Sequence, residues 1–477
     1  MLHKDPLAPI PIIVDFDKTF STSDSFFELL FITLFKSPKL FFSLIPEILS
    51  RKNLGQIKKL IFSKYRLSNS SFPINQNVLD YLISKKELGH KIFLISGSDN
   101  ALIIEYCNAY DVFDDCRGSS NVNLIGDEKL SYIRKNISEE FEYIGDSMHA
   151  DLPIWAAANS IGYVSNLKKI PNKLQSLGKP IHIIRKTSFN FFKFLKLLRV
   201  HQWAKNLLIF VPFILGSREE FAIYDLLSLV LGFFILSMLA SGTYIFNDLI
   251  DVLSDREHTT KKNRPLASGS IAYEYGIFLS IFMIVVALVF SSMLSMDFFI
   301  TMIGYLILTL SYSLYLKKKL FLDLIALGGL FTARILAGVF LLGHIFPFWL
   351  SLFSFLFFIS LSASKRYIEI NNLDENTLSL QSRAYKKDHD VFILIIGISF
   401  AISSIIIFSL YGQLDFLIRN PNVSPINIFI PSIILLTWVS RFWSQTILNK
   451  VDHDPVLYAI KDPTSIFLGI LLMLFFI

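Results

Sequence analysis

Short apolar runs that end in polar loops alternate with helix-like stretches over about the first 180 residues. Runs of this length are typical of strands that are buried on both faces of a sheet. The stretches between them, such as residues 78–88 before Gly89, are typical of helices. The alternation predicts an α/β domain with a parallel sheet at residues 1–180. The predicted strands are residues 12–14, 92–95, 143–144 and 161–164.

One segment of this domain interrupts the alternation. Residues at about 25–75 are largely helical in pattern, apolar and basic. We interpret them as a helical cap that is inserted after the first strand and packs on the domain. A second interpretation is that the segment also lies on the bilayer surface as an amphipathic element.

Long apolar stretches dominate the chain from residue 203 onwards. A helix needs about 20 apolar residues to cross the hydrocarbon of a bilayer. The sequence therefore predicts an all-α membrane domain of about nine transmembrane helices at residues 203–477, preceded at 181–202 by a linker and an interfacial helix. The nine stretches are residues 204–221, 225–247, 272–293, 297–316, 321–342, 345–363, 391–412, 426–447 and 463–477.

The positive charges predict the orientation of these helices. Lysine and arginine are concentrated in alternate loops, at residues 256–264, 317–319, 365–387 and 450–461. The positive-inside rule places these loops, and the N-terminal domain with them, in the cytosol. The net charge of +6 lies beside apolar runs, which favours a lipid bilayer over nucleic acid as the partner. We expect a multi-pass protein of the bacterial inner membrane with cytosolic active sites.

The chain has two cysteines, Cys107 and Cys116, nine positions apart in the first domain. No metal-ligand spacing accompanies them, and two thiols do not make a disulfide framework. They are expected to be reduced, as in other cytosolic domains.

Polar side chains follow the predicted strands where each strand ends. Asp15 and Asp17 come directly after the first strand, and Ser96 ends the second. The carboxyl ends of parallel strands meet at one edge of a sheet, where ligands bind. There Asp15 can attack a phosphoryl group and Asp17 can carry the proton. Lys129 can neutralise the transferred group, and Asp146 can complete a magnesium site.

The order of these residues resembles the phosphatase branch of the haloacid dehalogenase superfamily, over about residues 10–165. The resemblance implies a Rossmann-like fold whose helical cap selects the substrate, and Mg²⁺ held by Asp15, Asp17 and Asp146. It assigns Asp15 as the nucleophile, Asp17 as the acid and base, Ser96 and Lys129 as phosphate-binding groups, and Asp146 and Asp151 as the fourth-motif acids. Lys18 stands where many members have glycine. A domain with intact motifs that only binds or regulates is the alternative.

A second acidic group lies at the predicted cytosolic end of the second span. The group is Asn247, Asp248, Asp251 and Asp255, named here the Asp248 cluster. Its three acids would share one face of a continued helix because their spacings are three and four residues, and Asn247 joins from an adjacent direction. Acids at a membrane boundary cost free energy and usually serve a function. Their oxygens suit Mg²⁺ and a diphosphate substrate, whose phosphates Arg264 can bind. A solvated acidic loop is the alternative.

The cluster and its surroundings resemble the UbiA superfamily of intramembrane prenyltransferases, over about residues 195–477. The residues that carry the resemblance are Arg199, Gln202, Trp203, Lys205 and Asn206 before the first span, the Asp248 cluster, and residues 263–266 after it. The resemblance implies Mg²⁺-dependent transfer at the cytosolic side of the bilayer, with Asp248 and Asp251 as catalytic acids.

The chain departs from that superfamily at one place. Ordinary members carry a second D-x-x-x-D cluster after a later span, whereas residues 312–323 contain a run of lysines from Lys317 and one acid, Asp323. This weakens the case for a prenyl diphosphate donor. The sequence resembles instead the decaprenyl-phosphate phosphoribosyltransferases, which use phosphoribosyl diphosphate (PRPP) and a lipid phosphate. The matching residues are Arg334, Gly338, Lys365, Arg366, Glu369, Arg383, Tyr385 and 454–456.

The resemblance implies that phosphoribose passes from PRPP to a polyprenyl phosphate, and that the attached phosphatase removes the 5-phosphate of the product. The residues expected to bind the anionic substrates are Lys205, Asn206, Arg264, Lys317, Asp323, Arg334, Lys365 and Arg366. Two other functions stay open at this point. One is a prenyltransferase that moves an isoprenoid from a prenyl diphosphate onto an aromatic or tetrapyrrole acceptor. The other is a non-catalytic membrane scaffold or sensor.

Overall fold

The computed structural model describes residues 9–50, 54–65, 67–68, 71–120, 122–166, 169–186, 190–215, 223–372, 385–416, 426–451 and 455–474. The chain divides into two compact units. The first is Met1–Leu198 together with Tyr244–Leu279, and the second is Arg199–Thr243 together with Ser280–Ile477. The segment that carries the Asp248 cluster therefore belongs to the same unit as the N-terminal domain.

The first unit is built on a six-stranded sheet in which all neighbouring strands are parallel, in the order β3-β2-β1-β4-β5-β6. The predicted parallel sheet and its four predicted strands are confirmed. The sequence pattern missed β3, which is mostly polar, and β6, which lies in the predicted linker. The strands are β1 (Ile12–Val14), β2 (Ile92–Asp99), β3 (Asp115–Ser119), β4 (Glu142–Gly145), β5 (Ser160–Val164) and β6 (Ile181–Ile184).

Alternate side chains of a strand point to opposite faces of a sheet, and the residues of β1 accordingly belong to two separate cores. Ile12 and Val14 pack in one core with Leu29, a residue of the predicted cap. Ile13 packs in the other with Ile133. All five are fully buried. A sheet covered on both faces is the usual setting for parallel strands, and it explains why these strands read as continuous apolar runs.

The predicted cap is helical. Its first helix begins after Asp24, whose carboxylate accepts a hydrogen bond from the backbone N–H of Phe27 at 2.9 Å and so satisfies a free donor of the first turn. The helices of the first unit that precede the membrane domain are α1 (Ser25–Lys36), α2 (Pro38–Ser50), α3 (Leu54–Lys64), α4 (Gln76–Glu87), α5 (Asn100–Ala109), α6 (Asp127–Asn136), α7 (Leu152–Ala157), α8 (Asn172–Gln175) and α9 (Phe191–Leu198).

The expectation of reduced cysteines is wrong in this structure. Cys107 on α5 and Cys116 on β3 are joined by a disulfide, with their Cα atoms 6.0 Å apart. The chain turns back directly after α5, so that this helix packs on the strand that follows it. That return brings the two residues within bonding distance, which the spacing of nine in the sequence does not reveal.

Six helices in the described part of the chain are long and apolar enough to cross a membrane. They are α11 (Ile223–Ile250), α13 (Tyr273–Leu294), α14 (Met296–Leu314), α15 (Leu322–Leu341), α16 (Phe348–Asn371) and α17 (Asp390–Tyr411). An integral membrane protein is therefore confirmed, but the predicted count of nine spans is not. The other helices are α10 (Val211–Leu215), α12 (Val252–Glu257), α18 (Ile426–Ile447), α19 (Pro455–Lys461) and α20 (Pro463–Met473).

In the second unit the 3₁₀ helix Val200–Phe210 approaches α15 closely at Gly338. A Cβ at Gly338 would lie 2.0 Å from the carbonyl oxygen of Ile209, and backbone cannot yield as a flexible side chain does. We expect Gly338→Ala to destabilise the protein by ~1–3 kcal/mol through overpacking, measured as a lower unfolding temperature in detergent. Gly304→Ala, which meets no atom within 4 Å, is the matched control and should leave that temperature unchanged.

Candidate functional site

Six predicted residues surround the carboxyl ends of β1, β2 and β4, and we name them the Asp15 site: Asp15, Asp17, Ser96, Lys129, Asp146 and Asp151. Asp15 follows β1 directly, and Lys129 lies in the first turn of α6. The buried Nζ atom of Lys129 donates to Asp15 Oδ1 at 2.8 Å and to the hydroxyl of Tyr143 at 3.0 Å. The structure thus places a cation against the carboxylate that is expected to attack phosphate.

The carboxylate of Asp17 is held by two hydrogen bonds. It accepts hydrogen bonds from the backbone N–H of Ser25 at 2.8 Å and from the hydroxyl of Ser98 at 2.5 Å. Burial, with repulsion from Asp24 and Asp15, raises the pKa of Asp17 to about 7. A carboxyl group that titrates near neutral pH is suited to give and take protons, which is the role that the sequence predicts for Asp17.

Three carboxylates of the Asp15 site are spaced like metal ligands. Oxygens of Asp15, Asp146 and Asp151 lie within 4.8 Å of one another. The side chain of Asp17, which the sequence predicts as a ligand with Asp15 and Asp146, is held by hydrogen bonds from Ser25 and Ser98, and its place in the metal set stays a prediction. Burial and the charge of Asp15 raise the pKa of Asp151 to about 7, because both disfavour its charged form.

Ser96 is fully buried, and its hydroxyl accepts a hydrogen bond from the backbone N–H of Ser98 at 3.1 Å. Lys58 on α3 reaches the same region, because its Nζ atom donates to the carbonyl of Gly97 at 2.5 Å. Burial lowers the pKa of Lys58 although Asp17 attracts its charge. The sequence analysis missed Ser98 and Lys58. Ser98 is one of two serines near the end of β2, and nothing in the pattern distinguishes Lys58 from the other lysines of the cap.

Lys18 has a left-handed backbone conformation, with φ of 55°. Glycine is favoured in this region because a Cβ atom strains it, which explains why a glycine is common at this position in the resembling family. Here the side chain of Lys18 forms an ion pair with Glu274 at 2.7 Å and a longer one with Asp24 at 3.5 Å.

The Asp248 cluster lies where α11 ends and α12 begins. α11 ends at Ile250, but the i→i+4 hydrogen bonds from Asp251 to Asn247 and from Asp255 to Asp251 continue across the break. Asp248 and Asp255 consequently share a face. One guanidinium nitrogen of Arg264 contacts both, at 3.0 Å and 2.6 Å.

The acids of this cluster are less close together than those of the Asp15 site. Among the described residues, only Asp15, Asp146 and Asp151 form a trio of acids within 4.8 Å. Burial raises the pKa of Asp255 even though Arg264 opposes it. The amide of Asn247 and the three carboxylates are oxygen donors of the type that Mg²⁺ accepts, so the donor set fits a magnesium ion, and Arg264 bridges two of the acids here.

The second unit holds a buried polar group inside the membrane domain. Arg334 on α15 donates to the side-chain oxygen of Asn206 at 2.9 Å and to the hydroxyl of Tyr305 at 2.9 Å. Lys205 lies 6.0 Å from the ring centre of Phe331, and Arg334 lies 5.1 Å from the same ring. The structure therefore brings Lys205, Asn206 and Arg334 together. The hydrogen-bond partners of Arg334 among the described residues are neutral, which suits binding of an anion.

Asp323 and Arg366 form a buried ion pair in the second unit. The guanidinium of Arg366 contacts the two oxygens of Asp323 at 2.5 Å and 3.2 Å, and it reaches Glu369 at 2.6 Å. Asp323 is fully buried and Arg366 is 1% exposed. Lys317 and Lys365, which the sequence also assigns to the substrate, are half-buried near the ends of α14 and α16. Arg383 and Asp454 lie outside the described residues.

We expect Arg366→Leu to destabilise the protein by about 3–5 kcal/mol, because it leaves the Asp323 carboxylate buried without its cation. The double variant Asp323→Leu with Arg366→Leu removes both charges and should recover most of that loss. Thermal unfolding in detergent measures both effects. Equal unfolding temperatures for the single and the double variant would contradict the ion pair.

An apolar cavity of about 290 Å³ lies within the second unit. Its walls come from Val200–Phe210 and from α10, α15, α16, α17, α18 and α20. They include Leu208, Val211, Phe353, Phe357, Phe408 and Leu472. A cavity with such walls binds hydrocarbon rather than charged groups.

Spanning helices and buried polar groups of this kind define an integral membrane protein with a parallel-sheet domain at its N-terminus. Residues 207–454 match the model of the UbiA prenyltransferase family. Protein y4nM of Sinorhizobium fredii is 32% identical over 97% of this chain and 90% of its own length. The chain belongs to the UbiA prenyltransferase family. The phosphatase family of the N-terminal domain stays a prediction.

Two further similarities are to a named enzyme and to a solved structure. The decaprenyl-phosphate phosphoribosyltransferase of Mycolicibacterium smegmatis is 31% identical over 37% of this chain and 56% of its own length. The solved structure of a UbiA homolog from Archaeoglobus fulgidus bound to GPP and Mg²⁺ has a TM-score of 0.46 and 18% identity, covering 60% of this chain and 96% of that one.

Proposed function

We propose that the chain transfers phosphoribose from PRPP to the phosphate of a polyprenyl phosphate, and that the Asp15 site then removes the 5-phosphate. The observation that carries the transferase half is the buried ion pair of Arg366 with Asp323. Asp323 is the one acid of residues 312–323, and the guanidinium of Arg366 pairs with it. This segment therefore offers no pair of acids that could hold a second metal-bound diphosphate. One acidic cluster for a metal-bound diphosphate and separate buried cations suit two anionic substrates.

Two other observations support this proposal. The relative from Mycolicibacterium smegmatis bears the name of a decaprenyl-phosphate phosphoribosyltransferase, although the match covers 56% of its length. The apolar cavity of the second unit offers room for part of a polyprenyl chain. Both fit a lipid acceptor whose tail stays in the bilayer.

In the transfer step the C–O bond from the anomeric carbon to diphosphate breaks, and an oxygen of the lipid phosphate forms the new bond. A magnesium ion held by the Asp248 cluster would stabilise the departing diphosphate. Arg264, which already contacts Asp248 and Asp255, binds phosphate oxygens of the donor. Arg334 and Lys205 supply positive charge for an anionic group inside the second unit.

In the second step the Asp15 carboxylate attacks the 5-phosphate of the lipid product and forms an aspartyl-phosphate. Asp17 donates a proton to the leaving 5-oxygen and later takes one from the water that releases phosphate. Lys129 neutralises charge on the transferred group. Asp15, Asp146 and Asp151 would hold a magnesium ion that shields the attacking carboxylate from the phosphate charge.

A second candidate function rests on family membership alone. The family is one of prenyltransferases, so an isoprenoid could move from a prenyl diphosphate onto an aromatic or tetrapyrrole acceptor. The two functions differ in the role of the lipid, which is the acceptor in the first and the donor in the second.

The test supplies membranes that contain the protein with ribose-labelled PRPP, Mg²⁺ and polyprenyl phosphate. We expect label in the lipid fraction, its loss when the divalent cations are chelated, and its return when Mg²⁺ is added back. Omitting polyprenyl phosphate is the control and should abolish incorporation. Transfer from a labelled prenyl diphosphate with no use of PRPP would favour the second function instead.

A further inference from the structure

The cap of the Asp15 site and the loop that follows the Asp248 cluster are joined by a buried arginine. Arg256 lies next to Asp255 in the chain, and its guanidinium contacts both oxygens of Glu28 on α1, at 2.8 Å and 3.1 Å. It also donates to the carbonyls of Ser71 and Ala267, at 2.7 Å and 3.1 Å. Arg256 is 7% exposed and Glu28 is fully buried.

A second contact joins the same two segments at the loop after β1, which carries Asp15 and Asp17. Lys18 lies between the catalytic residue Asp17 and the buried Thr19, and its ammonium pairs with Glu274 at 2.7 Å. Gly269 approaches Thr22 and Pro73 closely. A Cβ atom at Gly269 would lie 2.0 Å from Thr22 Oγ1 and 2.6 Å from Pro73. The approach therefore leaves no room for a side chain.

Aromatic contacts along α1 extend this set of contacts between the cap and the transferase segment, which we name the joint. Phe31 meets Tyr273 edge-on, with ring centres 5.8 Å apart, and Phe35 meets Phe246 in the same way at 4.8 Å. Phe246 precedes the Asp248 cluster by one residue, and Tyr273 begins α13. One helix of the cap thus follows the transferase segment from one end of its loop to the other.

These contacts connect the two candidate active sites through few residues. Arg256 adjoins Asp255 on one side and donates to the hydroxyl of Ser23 on the other, at 3.3 Å. Two residues further, the backbone N–H of Ser25 holds the carboxylate of Asp17. Arg256 therefore links the loop after the Asp248 cluster to the segment that leads into α1.

Resting on the function proposed above, we propose that residues 256–274 complete the substrate cap of the phosphatase, and that the phosphatase takes its lipid-linked sugar phosphate from the transferase of the same chain. Arg256 and Glu274 are positioning residues in this arrangement. A substrate passed within one chain meets the second site at an effective concentration of about millimolar, well above that of a lipid that must first diffuse through the membrane.

The first test compares wild type, in which one chain carries both activities, with a mixture of two variants that carry one activity each. Asp15→Asn keeps the transferase and loses the phosphatase, whereas Asp251→Ala does the reverse. Equal amounts of the two variants, purified separately and mixed with PRPP and polyprenyl phosphate, should give at least about tenfold less dephosphorylated lipid per minute than the same amount of wild type. A mixture as fast as the wild type would overturn transfer within one chain. A wild type that makes only the 5-phosphorylated lipid would overturn the proposed function instead.

The second test removes the joint. Arg256→Gln should raise the ratio of 5-phosphorylated to dephosphorylated lipid about tenfold or more while hydrolysis of p-nitrophenyl phosphate, a small soluble substrate, stays within about twofold of wild type. Gly269→Ala should shift the ratio in the same direction by wedging the loop away. Arg134→Gln, at an exposed arginine paired with Glu139, is the matched control and should change neither measurement.

The outcome for these variants decides the positioning role. A normal product ratio in both Arg256→Gln and Gly269→Ala overturns it. If Arg256→Gln loses p-nitrophenyl phosphate hydrolysis as well, the double variant Arg256→Met with Glu28→Leu removes both buried charges and separates folding from docking. Restored hydrolysis with a raised product ratio then supports the joint, and restored hydrolysis with a normal ratio overturns it.

Discussion

Replacing Asp251 with alanine should lower the incorporation of phosphoribose into lipid by about a hundredfold or more. Asp251 is the central acid of the Asp248 cluster, and its backbone carries the hydrogen bonds that continue the helix between Asn247 and Asp255. Loss of a metal contact to a departing diphosphate costs several kcal/mol of transition-state stabilisation, and about 1.4 kcal/mol is a factor of ten in rate.

The measurement is the initial rate of label transfer from PRPP in detergent or membranes, at saturating Mg²⁺. The control is Asp297→Ala, an exposed acid at the start of α14, which should keep the wild-type rate. If Asp251→Ala left every membrane activity unchanged, the cluster would not be catalytic, and the scaffold or sensor interpretation would describe the chain better.

The second large effect is expected for Asp15→Asn. An amide cannot form the aspartyl-phosphate, so removal of the 5-phosphate should fall by at least about 10³-fold. The 5-phosphorylated lipid should then accumulate while its rate of formation stays unchanged, because Asp15 belongs to the phosphatase and not to the Asp248 cluster.

Mass analysis of the extracted lipids separates the two products, since they differ by one phosphate. Asp127→Asn replaces an exposed acid at the start of α6 and should leave the product distribution as in the wild type. An unchanged distribution in Asp15→Asn would show that the phosphatase acts on some other phosphate. The transferase half of the proposal would survive that result.

The sequence predicted the elements that depend on local patterns. The parallel sheet follows from short apolar runs, and the strand ends place Asp15, Asp146 and Asp151 together because parallel strands finish at one edge. The orientation of Asp17 was not predictable in this way. It depends on hydrogen bonds from Ser25 and Ser98, and Ser98 is 81 positions away in the chain.

The contact of Arg256 with Glu28 was beyond a local analysis for the same reason. The two residues are 228 positions apart, and the sequence analysis placed Arg256 only in a basic cytosolic loop. Its arginine is instead buried against a carboxylate of the cap. Sequence patterns report which residues can be buried, whereas the pairing of buried charges depends on how distant segments pack.

The described residues confirm six of the nine predicted spans as helices of spanning length. Residues 204–221 and 463–477 are apolar enough, but the described helices there, Val200–Leu215 and Pro463–Leu472, are shorter than the six spanning helices. The missing signal is geometric: Val200–Phe210 is a 3₁₀ helix in contact with α15, and Arg334 binds Asn206 within it. An apolar stretch of sequence can therefore pack around the buried polar group of Arg334 and Asn206 as well as span the membrane.

The most direct test of the central claim identifies the lipid that the purified protein makes. The protein is incubated with PRPP, polyprenyl phosphate and Mg²⁺, and the mass of the lipid product is measured. We predict that polyprenyl phosphate gains one phosphoribose in Asp15→Asn and one ribose in the wild type, with diphosphate released in equal amount. A polyprenyl phosphate of unchanged mass, together with transfer of a prenyl group from a prenyl diphosphate, would contradict the account.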